Sequence, residues 1–289
     1  MPVITTPSSP EYAAALPVLF VPPSVQLQRR IFPEASELGE VLAETFELYN
    51  PTAETVTCIL LPSACPYLLS DLQCGTILCG ALSTVRALSV APDHTVYGIR
   101  FRCGCGSWFP GQPPASDSVT VPQDHPATFA PLFRALNASS DFNQRNAALL
   151  RLAATQGGRS YHRHPLLRQC LALIEQHHGQ IRVSALARTV GCSERYLHRL
   201  FSAQVGLSAK TCCQLVQLHT SLHTLLTTQP KSLLHVAVSC GYFDQAHMNR
   251  QYHRFLSASA NDMRRGNGFL LPAPPLSWST NDSAQEDII

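Results

Sequence analysis

Arg195, His198 and Arg199 stand two, five and six positions after Ser193, and Ala246, Asn249 and Arg250 stand at the same offsets after Asp244. An arginine fork can give two parallel hydrogen bonds to O6 and N7 of guanine, an asparagine amide can do the same to adenine, and a methyl group can pack on thymine. Each good two-point pair contributes roughly 1–3 kcal/mol of discrimination. A lysine there would offer only a point charge. These residue types at this spacing suit the reading of base edges in a major groove.

To share one face, each trio must sit on a helix. Ser193 and Asp244 have the short side-chain oxygens that N-cap a helix. Apolar residues follow each cap at offsets four and eight, as Leu197 and Phe201, then Met248 and Tyr252, which at about 100° per residue makes one buried stripe opposite the trio. Ahead of each cap, Ala187 precedes Gly191 by four residues and Ala237 precedes Gly241 by four, a small residue for close packing and a glycine for the turn. The stretches Ala187 to Phe201 and Ala237 to Tyr252 are thus two copies of helix, tight turn, helix, the second turn one residue longer. One copy alone would fit any helical hairpin with a polar outer face; two copies in register favour a nucleic-acid reader.

The runs GCSERYLHRLFSAQVGLS (Gly191 to Ser208) and SLLHVAVSCGYFDQAHMNRQYHRF (Ser232 to Phe255) resemble the AraC/XylS transcription regulators, whose DNA-binding region holds two helix-turn-helix units. Cys240, Gly241, Tyr242, Asp244, Gln245, His247 and Arg250 match that family's signature, and the resemblance spans about Pro165 to Arg265. It implies base contacts from Arg195, His198 and Arg199 in the first unit and from Gln245, Ala246, Asn249 and Arg250 in the second. The family's usual Gly, Pro and Tyr are replaced by Ser257, Ala260 and Met263, and its usual Tyr and Arg of the connecting helix by Cys212 and Gln217. These are packing and capping positions. A helix over Ala209 to Thr227 joins the units and sets the reading helices in successive major grooves, about 34–36 Å apart.

Charge points the same way. From Ser160 to Arg265 there are twelve Lys or Arg against four Asp or Glu, a net of +8, while the rest of the chain holds nine against fifteen, a net of −6. The overall +2 therefore conceals a basic segment that attracts phosphate. Enzyme chemistry finds no footing: there is no phosphate-cradling glycine loop, no HExxH, no nucleophile elbow, and no cofactor is implied. No apolar run approaches the roughly 20 residues of a membrane span and no basic leader precedes Ala13 to Val21, so no membrane partner is expected and the cytoplasm, on the nucleoid, is the expected location. Eleven cysteines, odd in number and scattered over 289 residues, are expected to be reduced thiols.

The fold expected is α+β: an N-terminal β-rich, barrel- or cupin-like domain followed by helices, then an all-α domain with the two helix-turn-helix units. Residues 1–30 are expected to be poorly ordered, 31–156 to form a β-rich sensing or dimerisation domain ending in helices, 157–164 a linker, 165–265 the DNA-binding domain and 266–289 a disordered tail. Strands are expected in Glu54 to Leu61, Thr76 to Leu78, Thr84 to Val90 and Thr95 to Arg102, and helices over Phe129 to Leu136 and Phe142 to Thr155. LPSACPYLLSDL and GIRFRCGCG resemble the opening and a later strand of an AraC-family sensing domain, which implies an effector pocket or a homodimer surface.

Thiols are the most chemical feature of this half: Cys58, Cys65, Cys74 and Cys79, then Cys103 and Cys105, with His94 as a further soft-metal ligand beside them. The spacing is not that of a paired structural zinc site, and small apolar fillers explain most of these cysteines. The family resemblance implies double-stranded DNA and RNA polymerase as partners, a small-molecule effector, and activation of transcription. Two alternatives stand beside it, a regulator-derived protein-interaction module without DNA binding and a thiol- or metal-responsive sensor.

Overall fold

The structure is a computed structural model, and it describes residues 19–36, 38–105, 115–120, 126–155, 164–228, 232–265 and 276. Residues 1–18, most of the 157–164 linker and all of the tail except Leu276 lie outside these.

The N-terminal part is built from strands β1 (Leu19–Phe20), β2 (Gln26–Ile31), β3 (Leu42–Tyr49), β4 (Val56–Leu60), β5 (Tyr67–Asp71), β6 (Gly75–Cys79), β7 (Arg86–Val90), β8 (Thr95–Phe101) and β9 (Val119–Thr120). They pair antiparallel in two sheets, β1-β4-β7 and β2-β3-β8-β5-β6-β9. The four expected runs coincide with β4, β6, β7 and β8. Two expectations need correction. Residues 19–30 are not poorly ordered, because they supply β1 and most of β2, and LPSACPYLLSDL holds not an opening strand but β5, inside the larger sheet.

Strand alternation sorts the two cores. Phe46, Leu48, Tyr67, Leu69 and Val96 face the smaller sheet and meet Cys58, Leu60, Leu88 and Val90. Gly98 makes this possible, since a Cβ there would run into the Phe46 ring. The opposite face carries Leu68, Leu78, Tyr97, Ile99 and Phe101 and is covered by helices α1 (Pro126–Asn137) and α2 (Phe142–Thr155) through Leu132, Leu136, Phe142 and Leu149. β3 was illegible as a strand because it buries charge. Glu44 accepts from Arg100 Nε at 2.8 Å and from Arg29, and Glu47 accepts from Arg145 of α2 at 2.5 Å. Buried carboxylates persist only when paired in this way.

Beyond the linker come α3 (Pro165–Gln176), α4 (Val183–Thr189), α5 (Glu194–Gln204), α6 (Ala209–Thr227), α7 (Leu233–Ser239), α8 (Gln245–Leu256) and α9 (Ala260–Arg264). α6 runs through the middle, with Leu215, Leu218, Leu222 and Leu225 in one core that also takes Leu197 and Phe201 from α5 and Met248 and Tyr252 from α8. The same core reaches Leu61, Ala81 and Val85 of the sheets. Polar contacts bridge the two parts: His219 Nε2 of α6 to Pro62 O at 2.7 Å, Val85 N to Phe255 O at 3.2 Å, and Arg168 to Glu40 at 3.5 Å. Leu276 is buried in the sheet core and its amide donates to Ala87 O at 2.8 Å, so this residue of the expected disordered tail is anchored.

The positions that depart from the family pattern lie inside this packing. Cys212 and Met263 are buried, Ala260 is fully so, and Gln217 donates to Cys240 O at 2.9 Å. Ser257 closes α8 at φ +54°, the left-handed region where the family's glycine has no Cβ to strain.

Two measurements follow. Ser257→Gly removes the strain of a left-handed serine at some cost in chain entropy, so the unfolding free energy should rise by about 0.5–1 kcal/mol, read as a higher denaturant midpoint at an unchanged slope. His219 must carry its proton on Nε2 to donate to a carbonyl, and burial lowers its pKa from 6.5 to about 4. The unfolded chain then binds one more proton between pH 6.5 and 4, so stability from this group is full above pH 6.5 and falls by on the order of 3 kcal/mol as pH drops to 4. His219→Gln, which keeps a donor but does not titrate, should flatten that slope in unfolding curves.

Candidate nucleic-acid interface

Each unit is formed by the same local chemistry. α4 ends on Ala187 and Gly191: Cys192 N donates to Ala187 O and Gly191 N to Arg188 O, with Gly191 at φ +72°. α7 ends identically on Ala237 and Gly241, where Tyr242 N donates to Ala237 O, Gly241 N donates to Val238 O and φ is +75°. This is the six-to-one, five-to-two closure that a left-handed glycine permits. Each second helix then restarts on a side-chain cap. Ser193 Oγ accepts from Tyr196 N at 3.2 Å, and Asp244 Oδ1 accepts from His247 N at 2.5 Å. Ser208, Ser232 and Ser259 cap α6, α7 and α9 as well, and none was singled out in the sequence although each is a serine directly before a helix.

With both ends fixed, rotation of each helix is set by its apolar stripe. Leu197, Phe201, Met248 and Tyr252 are all fully buried. The opposite faces carry Arg195, His198 and Arg199, all exposed, and Ala246 and Arg250, also exposed, with Gln245 and Asn249 half-buried. Asn249 differs from the others because its Oδ1 accepts from Ala260 N at 3.3 Å. The proline that the resemblance implies at that position has no N–H, so the alanine here supplies an internal partner for Asn249. Phe243, 90% exposed in the second turn, and Tyr196, 38% exposed in α5, flank the two faces. The sequence marked neither, since an apolar residue beside a helix start reads equally well as core.

Cys103 and Cys105 do not come together with His94. His94 precedes β8 and Cys103 and Cys105 follow it, so a seven-residue strand, about 23 Å, separates them. Cys105 donates to Glu40 O at 3.2 Å, and burial pushes its pKa up to about 12. Cys103 lies against Cys212, and that contact together with burial raises it well above the usual thiol range. Burial also takes Cys58 and Cys79 to about 12, as expected of inert fillers.

Residues 186–266 match the family model of a helix-turn-helix domain. The HTH-type transcriptional activator RhaS of Shigella boydii is 32% identical over 102 residues, 35% of this chain and 36% of that protein. RhaS of Klebsiella pneumoniae is 32% identical over 106 residues, 36% and 38% of the two chains. The match thus spans little more than a third of the length of these relatives. Among solved structures, a transcriptional regulator with an AraC-type DNA-binding domain from Chromobacterium violaceum superposes with TM-score 0.33 at 23% identity, over 39% of this chain and 94% of that one. ToxT from Vibrio cholerae does so with TM-score 0.38 at 11% identity, over 83% and 98%. With two capped helix pairs and this match in place, residues 186–266 form a helix-turn-helix domain.

Proposed function

We propose that the chain is a sequence-specific transcription regulator that binds double-stranded DNA through α5 and α8. The observation that carries this is the pair of units closed by the same backbone bonds, each setting one side of its second helix opposite a fully buried stripe, with arginines on both of these faces. Arg195, His198 and Arg199 contact one half of the site, and Gln245, Ala246, Asn249 and Arg250 the other. Because the faces differ, the preferred site is asymmetric. Asn249 must either exchange its bond to Ala260 for adenine or read with its Nδ2 alone. The relatives named as activators support activation, with RNA polymerase as the second partner.

The sheets with α1 and α2 form the sensing half, and residues 165–265 the DNA-binding half, joined through 157–164. Support for gating comes from the seam between them. Cys65, Arg100, Cys103, Leu171, Cys212 and His219 line a cavity there, bounded on one side by the helix that joins the two DNA-reading units. A small effector in this cavity, or dimerisation through the sensing half, would act directly on α6.

A second reading is favoured by Leu234 and Val238 on α7 and Phe243 after it, which are 55%, 63% and 90% exposed. They belong on one side of the second unit and suit a protein partner. Selection of genomic fragments by the purified chain separates the two. Wild type should enrich an asymmetric two-part site whose affinity falls by about three orders of magnitude or more between 50 and 200 mM salt if about six phosphates are contacted. Arg199→Ala with Arg250→Ala should weaken that site by roughly tenfold or more per arginine, with little change in salt dependence. No enrichment, even with cell extract supplied as a source of effector, would leave the protein-interaction reading in its place.

A further inference from the structure

At the far end of the larger sheet from the cavity, a carboxylate, a thiol and an imidazole meet outside the DNA-binding machinery. Asp71 is the last residue of β5 and is 2% exposed. Its Oδ1 accepts from the amides of Gln73 and Cys74, both at 2.9 Å, which fixes the carboxylate and leaves Oδ2 pointing at His94 Nδ1, 3.0 Å away. Cys74 Sγ lies 3.7 Å from the same nitrogen. One ligand atom from each of the three residues, all within 4.8 Å of one another, converges there.

We propose that Asp71, Cys74 and His94 form a zinc site with three protein ligands and an open fourth position. The spacing fits. Tetrahedral bonds of about 2.3 Å to sulfur and about 2.0–2.1 Å to nitrogen and oxygen put ligand atoms roughly 3.3–3.5 Å apart, within a few tenths of an ångström of the 3.0 and 3.7 Å separations from His94 Nδ1. Chemistry fits as well. One ring nitrogen faces both a carboxylate and a thiol, and these three donor types together are a set that zinc accepts. A mixed S, N, O set selects a borderline ion over magnesium or calcium, which take oxygen, and over copper(I), which prefers sulfur throughout.

The backbone holds the ligands in place without the ion. Leu72 N donates to Thr95 O at 3.0 Å, Thr95 N to Gln73 Oε1 at 3.3 Å and His94 N to Ala91 O at 3.1 Å, so the β5–β6 turn and the β7–β8 turn are already stitched together. Cys74 is exposed and His94 half-buried, which gives the ion a path from solvent. Zinc would therefore clasp two turns of the sensing half, and its fourth position is open to water or to an anionic ligand. The inference is independent of the DNA-binding proposal.

Titration of the full reduced chain with cobalt(II), a coloured stand-in for zinc, tests it. Wild type should bind one equivalent with a thiolate-to-metal charge-transfer band and tetrahedral visible bands, both abolished by one equivalent of zinc. Cys74→Ser should lose the charge-transfer band, and His94→Ala should weaken binding at least roughly tenfold. Cys103→Ser with Cys105→Ser should leave the spectrum unchanged. Thermal melts keep folding separate, since zinc should raise the midpoint of wild type and of the Cys103/Cys105 variant but not of Cys74→Ser. The site is overturned if wild type takes up no stoichiometric cobalt, or if Cys74→Ser retains the band.

Discussion

Helix α6 must be satisfied on every side at once, and the rest of the molecule is arranged around that requirement. Its leucines meet α5 on one flank and α8 on the other, so neither reading helix can move without opening a core in which a lost leucine side chain costs roughly 2–5 kcal/mol. Its polar residues are spent on fixed partners. Ser221 Oγ lies 3.1 Å from the Tyr242 hydroxyl and 3.0 Å from that of Tyr252, joining the second turn to the second reading helix. Gln217 reaches the C-terminus of α7 and His219 the loop before β5. A group left without its partner here would cost about 1–3 kcal/mol, so these bonds fix the register of α6 more than they add to total stability.

That shared helix also explains how two parts of opposite net charge act as one molecule. The sheet half presents Pro62 and Val85 to the helical half, and the helical half answers with His219 and Phe255, the latter at the end of α8. The contacts are few and the seam holds a cavity, an arrangement that a ligand can bias more readily than a closed core. Within the sheet half the opposite design prevails. Glu44, Glu47, Arg100, Arg145, Thr45 and Asn146 are all buried, and Asn146 Oδ1 accepts from both Thr45, at 2.6 Å, and Tyr97, at 3.1 Å, pinning α2 to the sheet.

Legibility follows from how local each signal is. The turns at Gly191 and Gly241, the caps at Ser193 and Asp244, and the span of α6 could be placed from the sequence because caps and left-handed glycines are decided by neighbours a few residues apart. β4 and β7 could be read because one of their faces is partly solvated, and β8 because its run of β-branched and aromatic residues is itself a strand signal. β2 and β3 could not. β2 is an edge strand whose side chains are mostly exposed, and the acidic pattern of β3 makes sense only beside arginines from residues 29, 100 and 145.

The candidate sites divide along the same line. The residues of the two outward faces were nameable because helical periodicity alone opposes them to Leu197, Phe201, Met248 and Tyr252. That Asn249 is engaged by Ala260, that Cys103 meets Cys212, and that His94 belongs with Asp71 and Cys74 rather than with Cys103 and Cys105 were not nameable. By itself the sequence determined the two helix-turn-helix units and the side of each that faces outward, since caps, turns and a 3.6-residue period act over one or two turns of chain. Only the tertiary structure decided which thiol, carboxylate or ring stands beside which, because strand register and domain docking set those distances between residues whose separation along the chain carries no information about them.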